Sequence, residues 1–237
     1  MALDGLSFAV EAGNICALIG PNGAGKTTLF NCVSRLYQPA AGSIRLDGQD
    51  LLKLPPHRIA RLGVARTFQN LALFPALTVL ENVMVGAHTN GNVGFGRALL
   101  RIGVGREEKR LRAQCREILD RLQLGHLADR RAVGMPFGTL KRLEFARALA
   151  SSPKLLLLDE PANGLTHSEV DELGQAIREI RDQFDLTILL VEHHMAMVMD
   201  ISDHIVVLDF GRKIAEGPPS AIRNDPKVIE AYLGAPA

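Results

Sequence analysis

The spacing of apolar residues changes several times along the chain, and each change marks an element. Leu6 to Val10 alternate apolar with small or polar positions, which predicts a strand with one buried face. Asn14 to Ile19 is a short apolar run closed by Gly20, as expected of a strand buried on both sides. Lys26 to Leu36 switches to helical spacing and ends before Pro39. Ser43 to Leu46 followed by Asp47-Gly48 predicts a strand and a hairpin turn. Pro55-Pro56 opens a short helix running to Gly63, and Val64 to Phe68 is a further strand with Gln69 at its end. From about Pro75 to Ala150 the pattern is helical. Leu111, Cys115, Ile118, Leu119 and Leu122 share one face, opposite a charged, solvated face supplied by Arg106 to Arg116. Within it, Gly86 to Gly105 reads as a loop or broken helix. Strands return at Leu155 to Leu158, Thr187 to Val191 and Ile205 to Leu208, separated by helices at His167 to Phe184 and His194 to Asp200. Such alternation around a glycine-rich turn predicts an α/β fold, a mainly parallel sheet interrupted by a helical insertion.

Two stretches carry chemistry. "GPNGAGKTT", from Gly20 through Pro21, Asn22, Gly23, Ala24, Gly25, Lys26 and Thr27 to Thr28, fits G-x-x-x-x-G-K-[ST] between a predicted strand and a predicted helix. The glycines let backbone N–H groups approach phosphate oxygens, and the helix N-terminus adds a positive field. Lys26 reaches the β- and γ-phosphates of ATP in that pattern, and the Thr27 hydroxyl ligates Mg²⁺. "LLLLDEP", Leu155 to Pro161, places Asp159 at the tip of an apolar strand, where it holds Mg²⁺ through water. Glu160 beside it is a candidate general base for the attacking water.

Composition narrows the setting. With 47% hydrophobic and 22% charged residues among 237, the chain reads as an ordinary globular protein. A net charge of +1 offers no electrostatic footprint for nucleic acid. Cys16, Cys32 and Cys115 lack zinc-site spacing and suit a reducing cytoplasm. The first residues carry an acid and no basic group, unlike a secretory signal. No apolar run approaches the roughly 18 residues of a membrane span.

Taken in order, these motifs resemble the ATP-binding cassette family, the nucleotide-binding subunits of ABC transporters, over nearly the whole chain. The resemblance implies a P-loop NTPase (RecA-like) core, residues 1–74 and 151–237, with an N-terminal antiparallel β subdomain and an inserted α-helical subdomain at 75–150. It places Gln69 where the family has a glutamine contacting Mg²⁺ and water, and His193, in "LLVEHHM", at the switch histidine that contacts the γ-phosphate. His194 stands where relatives often carry aspartate. In the family, a loop of pattern L-S-G-G-Q begins a helix aimed at ATP on the opposite subunit. The matching residues here are Met135, Pro136, Phe137, Gly138 and Thr139. Pro136 replaces a serine hydroxyl and lacks an N–H, and Thr139 replaces a longer glutamine, so this signature loop is degenerate. Losing a charge-assisted hydrogen bond costs about 1.5–3 kcal/mol. Asn163 to Thr166 occupies the D-loop, with Thr166 in place of a common aspartate. Relatives stack an aromatic from an earlier strand on adenine. Here only Phe8 precedes the phosphate loop, at a position that reads as core. "DFG" at Asp209 to Gly211 follows a strand and is expected to be a hairpin turn, because no H-R-D precedes it.

Within the family, "FQNLALFPALTVLENVMVGAH" and the closing "DPKVIEAYLG" resemble the ATP-binding subunits of branched-chain amino acid importers. The resemblance implies transmembrane permease subunits and a second cassette, with a heterodimer favoured. A periplasmic binding protein acts indirectly, and the site of work is the cytoplasmic face of the inner membrane. Two alternatives stay open on sequence: a lipopolysaccharide-export-type ATPase, and a regulatory nucleotide-binding module with little turnover. A DNA-repair or chromosome-structuring ATPase would need long heptad arms that the chain lacks.

Overall fold

A computed structural model describes residues 2–67, 73–87 and 104–233. Its centre is a six-stranded sheet in the order β4-β5-β6-β1-β7-β8, from β1 (Ile15–Ile19), β4 (Val64–Arg66), β5 (Leu155–Asp159), β6 (Thr187–Val191), β7 (His204–Asp209) and β8 (Arg212–Gly217). All neighbours are parallel except β7 and β8, which form an antiparallel hairpin around Phe210-Gly211. The hairpin turn expected at "DFG" is therefore present. A separate antiparallel pair joins β2 (Arg45–Leu46) to β3 (Gln49–Asp50) across the Asp47-Gly48 turn.

Both faces of the sheet are buried, which is why its central strands read as unbroken apolar runs. Leu156, Leu158, Ile188 and Leu190 pack into one cluster, with helices α2 (Val79–Ala87), α3 (Val104–Arg121), α4 (Phe137–Leu149) and α5 (His167–Phe184). Their strand neighbours Leu157, Leu189 and Val191 face the opposite cluster, with Leu29, Phe30 and Val33 of α1 (Lys26–Val33). Strand side chains alternate between faces, so each leucine of "LLLL" is committed to one side. A third cluster joins Ile19, Ile205 and Val207 to α6 (Met195–Ile201), α7 (Pro219–Ile222) and α8 (Pro226–Leu233).

The described parts of α2, α3 and α4 pack on one another and share their cluster with the sheet. Helix α3 buries Leu111, Cys115 and Leu119, the face its spacing predicts. Gly86 lies inside α2, not in a loop: a Cβ there would stand 1.9 Å from the Arg147 carbonyl oxygen, so the glycine lets α2 and α4 close together. Gly105 likewise lies within α3. Most of the intervening glycine-rich stretch lies outside the described residues.

Other expectations are corrected. Leu6 to Val10 forms no strand: the segment alternates in exposure but pairs with no strand among the described residues, and with Ser43–Asp47 it lines a cavity of about 630 Å³. Phe8 packs against the α1-side cluster, as its position suggested. The helix after Pro56 is two short 3₁₀ turns, Pro56–Arg58 and Ala60–Leu62, ended by Gly63. Helix α1 stops at Val33, where the Ser34 N–H closes its last turn on Phe30. Strand β4 ends at Arg66, and Phe68 and Gln69 lie outside the described residues.

Candidate functional site

Three strand ends meet at one edge of the sheet. β1 delivers Gly20, β5 delivers Asp159 and Glu160, and β6 delivers Glu192 and His193. Val191 is in register with both Leu18 and Asp159, so these ends lie side by side. Ligands of open parallel sheets bind outside the carboxyl ends of their strands, and this edge is such a place.

The turn after β1 is shaped by close backbone approach. Gly20 has φ 146°, and a Cβ would lie 2.0 Å from the Leu208 carbonyl oxygen on β7, so no side chain fits. Gly25, the N-cap of α1, is left-handed at φ 103°, and a Cβ would lie 2.5 Å from the Ala2 carbonyl oxygen. Within this turn Lys26 Nζ donates to the carbonyls of Gly20 at 2.6 Å and Pro21 at 2.9 Å. Burial lowers the Lys26 pKa, and the Glu160 carboxylate acts in the opposite direction by favouring the ammonium. Lysine and acid therefore share one electrostatic site. Asn22, Gly23 and Thr27 are exposed, while Pro21, Gly25, Lys26 and Thr28 are half-buried and Ala24 is buried.

Glu160 holds a left-handed backbone at φ 47°, uncommon for a residue with a side chain. Its N–H donates to Val191 at 2.9 Å, and its carbonyl accepts from Asn163 at 3.1 Å, so the turn is pinned to β6. Strain of this kind concentrates at functional sites. Asp159 is buried, and its Oδ2 pairs with Arg66 at 2.6 Å. Arg66 also donates to Asn31 of α1 at 2.8 Å and sits over the Phe30 ring at 5.6 Å. The other oxygen, Asp159 Oδ1, is buried with no hydrogen-bond partner among the described residues. A buried carboxylate oxygen left without a donor among the described residues, on a strand end at the same sheet edge as the phosphate turn, suits a hydrated divalent cation such as Mg²⁺.

His193 is 57% exposed at its side chain and tilts against His194 at a centroid distance of 4.5 Å. The Glu192 carboxylate accepts from the backbone N–H groups of both. The signature segment lies elsewhere on the chain. Pro136 is the N-cap of α4 without a side-chain cap bond, Phe137 lies 5.7 Å from Lys141 Nζ, and Pro136 and Gly138 are exposed. No hydrogen bond or ion pair joins Pro136–Thr139 to Gly20–Thr28 among the described residues. The D-loop departure has a local reason: Thr166 caps α5, its N–H and hydroxyl both donating to Glu169 at 2.9 and 2.7 Å.

Sequence reasoning assembled Gly20–Thr28, Asp159, Glu160 and His193, and the structure brings them to one edge. It missed Arg66 and Glu192. Period-2 spacing on β4 does not reveal that Arg66 points at an acid 93 residues away. Glu192 adjoins His193 in "VEHH", and a carboxylate closing a buried strand was the available signal.

A parallel sheet with a glycine-rich turn into a helix at one strand end, and acids at the next, defines a P-loop nucleotide-binding cassette. The chain belongs to the ABC transporter family, whose profile matches residues 3–163. A second profile, described as branched-chain amino acid ATP-binding cassette transporter, matches residues 212–237. The chain is 44% identical over 235 residues to the high-affinity branched-chain amino acid transport ATP-binding protein BraF of Pseudomonas aeruginosa, covering 99% of this chain and 92% of that one. It is 43% identical over 235 residues to the corresponding protein LivG of Escherichia coli, with the same coverage. Among solved structures, an ATP-binding cassette of an ABC transporter in its ADP conformation superposes with a TM-score of 0.84 at 32% identity, covering 99% of this chain and 93% of that one. Among the described residues, no helix is long and apolar enough to cross a membrane.

Proposed function

We propose that this chain is the ATP-hydrolysing subunit of an importer of branched-chain amino acids or a related small polar solute, working through a separate permease at the cytoplasmic face of the inner membrane. The carrying observation is the convergence of Gly20–Thr28, Asp159–Glu160 and His193 at one sheet edge, in a chain whose relatives are named as branched-chain amino acid transport ATP-binding proteins. That relationship and the profile at 212–237 favour this reading over lipopolysaccharide export.

The N–H groups of Gly23 to Thr27 cradle the β- and γ-phosphates, and Lys26 exchanges the Gly20 and Pro21 carbonyls for phosphate oxygens. Thr27, Asp159 and Gln69 would hold Mg²⁺, which would supply positive charge against the phosphate oxygens. Glu160 accepts a proton from the attacking water, and His193 contacts the γ-phosphate, orienting it for in-line displacement. Residues 1–74 and 151–237 form the nucleotide-binding core. Residues 75–150 form the lobe that presents Pro136, Phe137, Gly138 and Thr139 to ATP held by a second cassette. Because Pro136 has no N–H and no hydroxyl, we favour a heterodimer in which the partner contributes an intact loop to this chain's site. A periplasmic binding protein would deliver the solute to the permease, and nucleic acid plays no part.

Reconstitution with the permease and second cassette tests this. Glu160→Gln is expected to retain Mg²⁺-dependent ATP binding and to abolish phosphate release and solute uptake, with the equivalent change in the partner milder. Equal loss from both changes would refute the asymmetric pairing. A wild-type complex that binds ATP without releasing phosphate would refute the ATPase reading and favour a regulatory module.

A further inference from the structure

Glu192 follows the last residue of β6 and is 1% exposed. Its carboxylate is fully engaged. Oε1 accepts from the Ala162 N–H at 2.8 Å. Oε2 accepts from the backbone N–H groups of His193 at 2.7 Å and His194 at 3.1 Å, and lies 3.0 Å from His194 Nδ1. Burial raises the Glu192 pKa, but the N–H groups of His194, Ala162 and His193 outweigh it and hold the acid below the ordinary glutamate value. An ionised carboxylate only accepts, so His194 carries its proton on Nδ1.

The two oxygens face different parts of the site. Ala162 belongs to the turn that runs from Glu160 into Asn163 and Leu165, and His193 begins the segment entering α6. We infer that Glu192 is a positioning residue that locks the turn after Glu160 to the His193 segment, so that a displacement of Asn163 is transmitted to the histidine. The consequence for turnover rests on the ATPase reading; the mechanical link does not. In that reading Asn163 lies where the second cassette would press on this chain, and Glu192 links its neighbour Ala162 directly to the backbone of the group facing the γ-phosphate.

A cation site is the competing use of the same groups, since one ligand atom each from Glu192, His193 and His194 lie within 4.8 Å of one another. Both Glu192 oxygens are already taken by N–H donors, which favours the clamp. A clamp needs an acceptor at both ends. Glutamine keeps the shape but has one oxygen, and its NH₂ must face a backbone N–H that it cannot accept from. Two N–H groups facing each other at a buried position cost more than either bond returns, so one end opens.

Glu192→Gln in the assembled transporter is the test, read in two ways. Amide hydrogen exchange in the intact complex is expected to quicken about tenfold or more at Ala162 or at His193 and His194, with Leu156–Leu158 and Ile188–Leu190 unchanged. Turnover is expected to fall about tenfold with the KM for ATP within about threefold, the split expected when a group ordered only for the transition state is loosened. Asn163→Ala is expected to alter exchange at His193 in the wild type and to leave it unaltered once Glu192 is glutamine. Unchanged exchange at all three amides, or faster exchange throughout β5 and β6, would overturn the clamp. Stoichiometric zinc binding by wild type that Glu192→Gln abolishes would overturn it in favour of a cation site. A wild-type complex without phosphate release would sink the ATPase reading alone, since the exchange measurements would still decide the link.

Discussion

Arg66→Met puts the buried Arg66–Asp159 pair to a quantitative test. The two side chains are 14% and 3% exposed and meet at 2.6 Å, so the contact is made largely out of water. Methionine preserves most of the arginine stem and its packing on Phe30 while removing the cation. Breaking a buried pair by deleting one partner costs about 3–5 kcal/mol, mainly because the remaining charge is left uncompensated. In a domain of this size, 1 kcal/mol moves Tm by about 2–4 °C, so a fall of roughly 6–20 °C is expected. Part of that cost is the cation–π contact at 5.6 Å, worth about 0.5–2 kcal/mol, which has nothing to do with Asp159. A double-mutant cycle removes it. With Asp159→Asn as the second change, the cation–π loss appears in both arginine variants and cancels, leaving the coupling between the pair. Thermal and urea unfolding of the nucleotide-free protein, followed by circular dichroism, should give a coupling of about 2–3 kcal/mol. Losses that add to within about 0.5 kcal/mol would refute the argument, and so would an Arg66→Met Tm within about 2 °C of wild type.

Two further changes probe the helical lobe. Gly86→Ala forces a methyl to within 1.9 Å of the Arg147 carbonyl oxygen and should cost about 1–3 kcal/mol by pushing α2 from α4, while ATP affinity measured with a fluorescent analogue stays unchanged. An unchanged Tm would mean that the two helices can part freely. Pro136→Ser restores a hydroxyl and an N–H at the N-cap of α4, and phosphate release by the assembled transporter should rise about tenfold if this loop closes on a nucleotide. Unaltered turnover would show that Pro136 faces no phosphate.

Much of this architecture follows from local rules that the sequence carries openly. The apolar runs at Ile15–Ile19, Leu155–Asp159 and Thr187–Val191 can be buried on both faces only in a parallel sheet, and each was predicted within a residue of its observed bounds. Gly20, Gly25 and Lys26 are legible for a related reason: the backbone conformation and chemistry they need admit few residue types, so their spacing marks the turn. Failures came where a tertiary neighbour decides the outcome. Leu6 to Val10 has the alternation of a strand but no ladder partner among the described residues, and period alone cannot supply one. Gly86 looks like a breaker, yet it is helical because α4 approaches too closely for any side chain.

The sequence by itself determined the phosphate turn, the acids at the end of β5 and the alternation of strands and helices along the chain, because those depend on residues within a few positions of one another. Only the tertiary structure decided that Arg66 neutralises one oxygen of Asp159 and leaves the other open. It also decided that Glu192 joins the turn after Glu160 to His193. Those pairings join segments 93 and 30 positions apart in the chain. Spacing along a sequence constrains faces and turns, whereas contacts between distant strand ends exist only once the sheet has placed them side by side.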